Sequence, residues 1–394
     1  MKYCVNNVKI ISENEIIENK AIYIENNKII AVKPFENEED FKVIDGKGMY
    51  ASTGFIEVHS HGAGGCDVLD PYPEAFIETA KMHGQHGTTL IMPTITSCAN
   101  QTMLNSFEYF RQAKKMNYDG AAFLGLHLEG PYFSEAQRGG QGLEYIKSPR
   151  EDEYKMLLDS TDDIVRWSAA PELDEGFKFG EYITSKGILC AVGHSDATYE
   201  VVKEAFNHGY THITHLYSGT SMVHRINAFR YAGVVESAYL IDDMTVEIIA
   251  DGCHLPKSLL QMVYKLKGTD KTCLTSDSVW PAGLTYEEIK KLDEKTKNKD
   301  QNFIIEDGVA KMPDRSAFMG SIATGDKLVR NMVKLAEVPL VDAIKMATLT
   351  PARIMKIDDY KGRIKEGYDA DVVIFDDDIN IKYVFVNGKI IREA

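Results

Sequence analysis

Near its start the chain reads Gly54-Phe-Ile-Glu-Val-His-Ser-His-Gly62, an apolar run that ends in two histidines. Later apolar runs end in a similar way, in Glu129, His194, His215 and Asp277. All of these residue types can bind a metal ion. Because a parallel barrel of alternating strands and helices carries its chemistry at the carboxyl ends of its strands, this repeated placement predicts a metal site at the open end of such a barrel.

The middle of the chain alternates apolar runs with helical patterns, which is typical of a parallel sheet with helices outside. We predict strands at Phe55–His61, Thr88–Thr94, Ala121–Glu129, Ile164–Ala170, Ile188–His194, His212–Tyr217, Thr245–Ala250 and Lys271–Asp277. Helices are predicted at Glu74–His83, Glu200–Asn207, Lys257–Lys265, Ala323–Leu335 and Leu340–Leu349, the last ended by Thr350-Pro351. Eight strands indicate an α/β fold, a (β/α)8 TIM-type barrel.

Both ends of the chain read as antiparallel strands rather than as barrel. Residues 1–50 alternate apolar and polar positions, with a turn at Asn26-Asn27, and near the other end Asn387-Gly388 is a tight-turn signal. We predict that residues 1–52 and 355–394 form a small β-sandwich domain and that residues 53–354 form the (β/α)8 barrel. The charged segment from Tyr286 to Gln301 predicts a solvated helix and loop, and a hairpin is expected around Gly308.

Composition excludes several kinds of partner. The chain has 44 lysines and arginines against 59 acidic residues, a net charge of -15. Nucleic acids and anionic lipids need a basic footprint, so neither is expected as a partner. No run of about 18 uncharged apolar residues offers a membrane span. An anionic small substrate would need a local cluster of Arg, His and backbone N–H groups to overcome the overall field.

The cysteines indicate a reducing compartment. None of the six forms a C-x-x-C pair, which predicts buried free thiols rather than a disulfide framework or a zinc ribbon. The N-terminal residues lack the apolar segment of a secretion signal. We therefore expect a cytoplasmic protein.

The candidate ligands point to hydrolysis. His59 and His61 are two residues apart on a strand, so both side chains face the same side. Imidazoles with carboxylates suit zinc or a similar first-row divalent ion. Such an ion lowers the pKa of a bound water to about 7 and polarises a carbonyl, which favours hydrolysis of an amide or ester. Asp277 is placed to take the proton of the water and hand it to the leaving nitrogen, with a helix N-cap or a further metal ligand as its alternative roles.

Other residues near the predicted rim have competing interpretations. His254 follows the seventh strand and is expected to contact substrate. Arg225 lies in the loop after the sixth strand, where it either holds an anion or is a plain surface arginine. His127 is interpreted as a barrel-layer histidine bonded to a neighbour rather than as a ligand.

The motifs resemble a known family over nearly the whole chain. They are Gly54-Phe-Ile-Glu-Val-His-Ser-His-Gly62, Gly125-Leu-His-Leu-Glu-Gly-Pro131, Gly193-His-Ser-Asp-Ala197, Thr214-His-Leu-Tyr217, Ile249-Ala-Asp-Gly-Cys-His254 and Thr275-Ser-Asp277. This set resembles the amidohydrolase superfamily and, within it, the N-acetylglucosamine-6-phosphate deacetylase family. Most of the superfamily bridges two metals with a carboxylated lysine on strand four, but here that strand ends in Ser-Ala-Ala-Pro-Glu172, and the resemblance places Glu129 at the bridge.

The resemblance implies a homodimer that hydrolyses the acetamide of N-acetylglucosamine 6-phosphate, or of a related N-acetylhexosamine phosphate, to the amino sugar phosphate and acetate. It implies that one or two divalent ions are bound per subunit, with zinc as the first choice and iron, manganese or cobalt as alternatives. Glu129, His194 and His215 would hold the primary ion, His59 and His61 would allow a second, and Asp277 would be the general base and acid.

By the same resemblance, the sugar would be lined by Gly140, His254 and the loop Phe318, Met319 and Gly320. Arg225 would meet the phosphate, which in this family is often that of the neighbouring subunit.

The chain departs from the family pattern at the substrate end. Ser218 and Gly219 stand where the family has Asn-Ala, part of its phosphate grip, and Gln141 replaces a histidine that helps to polarise the carbonyl. Two alternatives therefore stay open. One is an amidohydrolase acting on a different N-acyl or cyclic amide substrate, and the other is a non-catalytic sugar-phosphate-binding homologue.

Overall fold

The computed structural model describes residues 1–295 and 303–393, and its centre is a ring of eight parallel strands. The strands are Phe55–Ser60, Thr88–Thr96, Leu126–Glu129, Ile164–Ala169, Leu189–Val192, Tyr210–Ile213, Thr245–Ile249 and Thr272–Thr275. Each pairs in parallel with the next along the chain. The predicted barrel is confirmed.

The barrel closes at a seam between the eighth and first strands. A parallel bridge joins Ser60 to Ser278. Beside it, the backbone N–H of Asp277 donates to the carbonyl of His59 at 3.0 Å, and that of His61 donates to the carbonyl of Ser278 at 2.8 Å. The seam therefore holds Asp277 next to the His59 and His61 pair, although more than 200 residues separate them in sequence.

Helices cover the outside of the ring. Successive strands are connected by helices Glu74–Gln85, Asn100–Ala113, Glu151–Ser160, Lys178–Ser185, Tyr199–Asn207, Val234–Leu240 and Lys257–Lys267. After the eighth strand come Tyr286–Lys295, Gly325–Lys334, Leu340–Ala347 and Leu349–Ile354. Helix Gly325–Lys334 buries Leu328, Val329 and Met332, which the helical period places on one face.

Some boundaries differ from the predictions. Pro351 does not end the last helical stretch, because a further helix begins at Leu349 and carries Pro351 in its first turn, where proline is tolerated. The third predicted run is divided into Ala122–Phe123 and Leu126–Glu129. Gly125 lies between them, and a Cβ there would be 2.8 Å from the carbonyl oxygen of Asp163.

Two small sheets built from both ends of the chain pack against each other. One has the strand order Lys28–Lys33, Ala21–Glu25, Lys2–Asn6 and Lys42–Asp45, and the other Lys389–Glu393, Ile381–Val386, Val372–Phe375, Tyr50–Thr53, Lys9–Ile11 and Ile16–Ile17. Val5, Ile22 and Ile24 from the first meet Val372 and Phe385 from the second in a shared core. The predicted β-sandwich is therefore present, while the domain limits at residues 52 and 355 stay a prediction.

The predicted turns and thiols can also be located. Asn26, Asn387 and Gly388 have positive φ angles of 55°, 48° and 76°, as tight hairpin turns require. The hairpin around Gly308 pairs Ile304–Glu306 with Val309–Lys311. Within the charged segment, helix Tyr286–Lys295 is present, whereas residues 296–301 lie outside the described residues. All six cysteines are free thiols, four of them buried. Among the described residues, no helix has the length and apolarity needed to cross a membrane.

A buried ion pair connects the segment after the last barrel helix to the C-terminal sheet. Lys361 Nζ lies 2.6 Å from Asp371 Oδ2 and 2.9 Å from Asp369 Oδ2. The side chains of Lys361 and Asp371 are 7% and 4% exposed, so water screens their interaction poorly.

We expect Lys361→Met to destabilise the protein by about 3–5 kcal/mol, because it leaves the buried Asp371 carboxylate without a counter-ion. The measurement is the midpoint of urea unfolding. Lys356→Met, at an exposed position five residues earlier, is the control and should leave the midpoint unchanged. Equal midpoints for the two variants would contradict the role of the pair.

Candidate metal centre

The six predicted metal ligands converge at the carboxyl ends of the barrel strands. Glu129 is the last residue of the third strand, and the first strand ends at Ser60, between His59 and His61. His194, His215 and Asp277 each lie two residues beyond the end of a strand, namely the fifth, sixth and eighth strands.

The carboxylate of Glu129 lies between two groups of ligands. Its Oε1 is 2.9 Å from His215 Nε2, 3.2 Å from His194 Nε2 and 3.4 Å from His59 Nε2. Its Oε2 is 3.2 Å from His61 Nε2. Glu129 is thus in a position to bridge two sites.

Asp277 completes the second group. Its Oδ1 is 3.2 Å from His61 Nε2 and 3.4 Å from His59 Nε2, and the two ring nitrogens are 3.3 Å apart. The ligand atoms of His59, His61 and Asp277 all lie within 4.8 Å of one another, as do those of His59, Glu129 and His215. Both groups have the spacing of ligands around a single ion.

The four histidines are oriented in the same way. Each points Nε2 at the centre and donates a hydrogen bond from Nδ1 to an oxygen outside it. His59 donates to Glu247 Oε1 at 2.8 Å and His61 to the Thr94 carbonyl at 3.0 Å. His194 donates to the Gln137 carbonyl at 2.8 Å and His215 to the Ser218 carbonyl at 3.0 Å. Carbonyl and carboxylate oxygens only accept, so Nδ1 carries the proton and Nε2 presents its lone pair in the neutral imidazole.

This arrangement requires a cation. Lone pairs of four imidazoles face carboxylate oxygens in a largely buried space, and acceptors that face each other are unfavourable unless positive charge lies between them. Imidazole nitrogens and carboxylate oxygens are the ligands that zinc takes in proteins. The residues therefore fit the metal site that the family resemblance implies.

The carboxylates and imidazoles of the site shift each other's pKa values in the directions expected for a centre that binds a cation. Burial lowers the pKa of His59, but Asp277, Glu129 and Glu247 outweigh it and raise that pKa to about 9. Burial raises the pKa of Glu129, but His59, His194 and His215 hold it well below its ordinary value. Asp277 behaves alike, because His59 and His61 outweigh its burial and lower its pKa. Both carboxylates are therefore ionised at neutral pH.

Three of the ligands have a backbone conformation that is rare outside glycine. The φ angles of His194, His215 and Asp277 are 45°, 27° and 47°. Each such residue costs about 1–3 kcal/mol, and such residues cluster at functional sites, where the surrounding structure holds them. The shared conformation turns each side chain inward just after its strand ends.

A buried ion pair beneath the centre was missed by the sequence analysis. Glu247, on the seventh strand, accepts hydrogen bonds from His59 Nδ1 at 2.8 Å and from the backbone N–H of His215 at 3.0 Å. Its Oε2 is 2.6 Å from Arg166 Nη1, and neither side chain has any exposed surface. Burial raises the pKa of Glu247, but Arg166 and His59 hold it well below its ordinary value.

The sequence does contain a signal for this pair. Glu247 and Arg166 each stand in the middle of an apolar strand, where charged residues are seldom found unless they are paired. In contrast, the carbonyl acceptors at Thr94, Gln137 and Ser218 have no sequence signature, because any residue offers the same group.

The structure places Gln141 against the ligand set. Its Nε2 donates to Glu129 Oε2 at 2.8 Å, while its Oε1 accepts from Thr96 Oγ1 at 2.7 Å and from the Ser97 N–H at 3.0 Å. The Ser97 donor fixes the orientation of the amide. One N–H of Gln141 is therefore used to hold Glu129, and a contact of its second N–H with substrate stays a prediction.

The other predicted substrate residues surround the centre. Gly140 contacts Met319, since a Cβ on Gly140 would lie 1.9 Å from Met319 Sδ. A Cβ on Gly219 would be 2.7 Å from His194 Nδ1, and one on Gly320 would be 2.6 Å from the Asp277 carbonyl oxygen. Gly219 and Gly320 therefore allow their loops to approach the candidate ligands closely, and Gly140 allows its loop to approach that of Met319.

His254 and Arg225 have different surroundings. His254 Nδ1 is 2.8 Å from Asp251 Oδ2, and its ring centroid is 4.5 Å from that of Phe318. Arg225 lies on an exposed hairpin, His224–Ile226 with Phe229–Tyr231, and none of its contacts among the described residues joins it to the metal ligands. His127 bonds to Thr94 and Ser168 as a barrel-layer histidine.

Comparisons with known proteins agree with the geometry. The model of the amidohydrolase family matches residues 50–391. The chain is 32% identical over 394 residues to N-acetylglucosamine-6-phosphate deacetylase of Haemophilus influenzae, with 99% of both chains covered. It is 29% identical over 394 residues to the enzyme of that name from Lysinibacillus sphaericus, with 98% of this chain and 97% of the relative covered.

A solved structure has the same overall fold. N-acetylglucosamine-6-phosphate deacetylase from Pasteurella multocida aligns with a TM-score of 0.87 and 27% identity, covering 99% of both chains. The family match spans the barrel and its ligands, and the relatives match over almost their full length. The chain is therefore a hydrolytic enzyme that belongs to the amidohydrolase family and, within it, to the N-acetylglucosamine-6-phosphate deacetylases.

Proposed function

We propose that this protein hydrolyses the acetamide of N-acetylglucosamine 6-phosphate, or of a closely related N-acetylhexosamine phosphate, to the amino sugar phosphate and acetate. The observation that carries the proposal is the convergence of four imidazole Nε2 atoms on Glu129 and Asp277 at the barrel rim. Full-length relatives with the same activity in their names support the choice of substrate.

We assign the metal ligands from the two groups around Glu129. His194 and His215 with Glu129 would hold one divalent ion, and His59, His61 and Asp277 a second, with Glu129 between them. Zinc fits this donor set best, and iron, manganese and cobalt are the alternatives. When bound, such an ion supplies a water of lowered pKa and polarises the acetamide carbonyl.

Asp277 moves the proton in this proposal. Its ionised carboxylate takes a proton from the attacking water as the new C–O bond forms, and it then donates that proton to the amide nitrogen as the C–N bond breaks. The products are acetate and the free amine of the sugar. The ionised state of Asp277 and its position beside His59 and His61 support the first role.

The sugar is assigned to the space between the loops that meet at the ligands. Gly140 lies next to Met319 and Gly320 lies next to Asp277. The rings of His254 and Phe318 are in contact, with an angle of 47° between their planes. Because His254 donates from Nδ1 to Asp251, its Nε2 is left to accept a hydrogen bond from a sugar hydroxyl.

We further propose a homodimer in which Arg225 meets the phosphate. On the hairpin that carries Arg225, 43% of Ile226 and 72% of Phe229 are exposed, and just before it 55% of Met222 and 55% of Val223 are exposed. A cluster of exposed apolar side chains of this kind is typical of an interface.

The free thiols support a cytoplasmic location.

One alternative is favoured by a specific observation. Where the family resemblance implies Asn-Ala, this chain has Ser218 and Gly219, and a Cβ at Gly219 would be 2.7 Å from His194 Nδ1. The loop therefore takes a path here that alanine does not allow without a shift. This favours a changed substrate end, and hence another N-acyl substrate, as the second candidate.

A substrate panel tests the proposed function. We expect metal-loaded protein to release acetate from N-acetylglucosamine 6-phosphate much faster than from unphosphorylated N-acetylglucosamine, and to lose this activity when a chelator removes the metal. Equal rates with and without the phosphate would favour the second candidate. Single-turnover acetate release separates either enzyme from a non-catalytic homologue.

Asp277→Asn should lower kcat by about 10²- to 10⁴-fold, the usual contribution of a general acid and base. The ion at Glu129, His194 and His215 should stay bound, and metal analysis of the purified variant checks this. Asp342→Asn, which alters a carboxylate on an outer helix, is the control, and its kcat should equal that of the parent. A parental kcat in Asp277→Asn would contradict the assignment.

Glu247→Gln should weaken metal binding about 10- to 100-fold. The substitution replaces the negatively charged carboxylate that accepts the Nδ1 hydrogen bond of His59 with a neutral amide. The measurement is the dissociation constant for zinc, from competition with a chromogenic chelator. Glu153→Gln, which alters a glutamate of similar burial that pairs with Lys147, should leave zinc affinity unchanged. Equal affinities for the two variants would show that Glu247 only supports the fold.

A further inference from the structure

The seam between the eighth and first barrel strands is held largely by side chains. In the described part of the chain, one backbone bridge, Ser60 with Ser278, joins these strands, whereas every other neighbouring pair of the ring has at least two aligned residue pairs. From the first strand, the Glu57 carboxylate accepts hydrogen bonds across the seam from Thr275 Oγ1 at 2.7 Å and from the Ser276 N–H at 3.0 Å. The spacing of the residues that follow these strand ends therefore depends on side-chain hydrogen bonds.

A second side-chain contact at the seam comes from a helix outside the ring. His83 lies on helix Glu74–Gln85, and its Nε2 is 2.9 Å from Ser278 Oγ and 3.1 Å from Ser60 Oγ. The two hydroxyl oxygens are 2.8 Å apart, and all three residues are fully buried. One histidine therefore contacts both sides of the seam in a place where water does not compete for its hydrogen bonds.

The protons of this cluster can be assigned from its acceptors. Ser278 Oγ donates its one proton to the Gly62 carbonyl at 2.9 Å, because a carbonyl oxygen only accepts. Ser278 Oγ is then the acceptor for His83, so Nε2 carries the proton of the ring. Burial lowers the pKa of His83 to about 3, which keeps the ring neutral. Since Nδ1 has no hydrogen-bond partner among the described residues, the ring acts through Nε2.

The cluster lies directly beside candidate metal ligands on both strands. Ser278 follows Asp277 in the sequence, and Ser60 stands between His59 and His61. Across the seam, Asp277 Oδ1 is 3.2 Å from His61 Nε2 and 3.4 Å from His59 Nε2. A small change in the seam therefore alters the spacing of this ligand group.

We propose that His83 is a positioning residue, which fixes the seam and thereby the distance between Asp277 and the two histidines of the first strand. The inference rests on the proposed function, in which Asp277 moves the proton. Loss of the Nε2 hydrogen bond impairs proton transfer and the ion held at the seam. The ion at Glu129, His194 and His215 is unaffected, because the third, fifth and sixth strands do not border the seam.

Steady-state kinetics of the metal-loaded, full-length protein tests this role. We expect His83→Phe, which keeps a ring but has no donor, to lower kcat with N-acetylglucosamine 6-phosphate about tenfold and to leave KM unchanged. His83→Gln, whose amide nitrogen can donate in place of Nε2, should recover most of the loss. Phe76→Leu, at a buried position of the same helix, controls for lost stability and should keep the parental kcat. A parental kcat in His83→Phe, or the same loss in Phe76→Leu, overturns the proposal.

A double-mutant cycle checks that His83 acts through Ser278. Ser278→Ala removes the hydroxyl that accepts from Nε2, so the double variant should lower kcat no more than His83→Phe alone. Losses of kcat that multiply in the double variant overturn the proposal. If His83→Phe does not fold, Ser278→Ala takes its place with the same expected loss.

Zinc binding provides a readout that does not need turnover. Competition with a chromogenic chelator should give one dissociation constant that rises about tenfold in His83→Phe, for the ion at His59 and His61. The dissociation constant of the ion at Glu129 should stay parental. Two parental constants, or two constants raised equally, overturn the proposal. If the parent releases no acetate, the proposed function fails, and zinc binding then decides the role of His83 by itself.

Discussion

The arrangement of side chains at the carboxyl ends of the barrel strands depends on one electrostatic constraint, which is the need for positive charge beside Glu129. Four imidazole nitrogens and two carboxylates present lone pairs to one small space, and their protons point outward to carbonyl and carboxylate acceptors. Such a set is stable only with positive charge at its centre. The same demand explains why the pKa of His59 rises despite its burial and why Glu129 and Asp277 are ionised.

The barrel provides the framework that holds this set together. Its strands deliver ligands at a common level, and the seam between the eighth and first strands fixes Asp277 beside His59. Below the ligands, Glu247 contacts both His59 and the backbone of His215, and Arg166 neutralises it. One buried ion pair therefore connects both ligand groups to the floor of the site, which is how second-layer hydrogen bonds usually orient metal-binding histidines.

The proposed substrate end differs from the candidate metal centre, because it is made of loops. Gly140, Gly219 and Gly320 allow close approach of three loops, while Gln141 is used to hold Glu129. The hairpin of Arg225 has no described contact with the candidate metal ligands, and it exposes the apolar side chains of Ile226 and Phe229. The candidate metal ligands thus lie at rigid strand ends, whereas the residues proposed for substrate recognition lie on loops that can change without disturbing the barrel.

The sequence by itself determined the barrel, the two-ended sandwich and the six candidate metal ligands, because strand periodicity and the position of a residue at a strand end are local properties. It did not determine the seam at Ser60 and Ser278, the support from Glu247 and Arg166 or the use of Gln141. These depend on distances between segments far apart in sequence and on backbone carbonyls that every residue has. Only the tertiary structure decides which of those groups meet, because burial and register are properties of the whole packed chain.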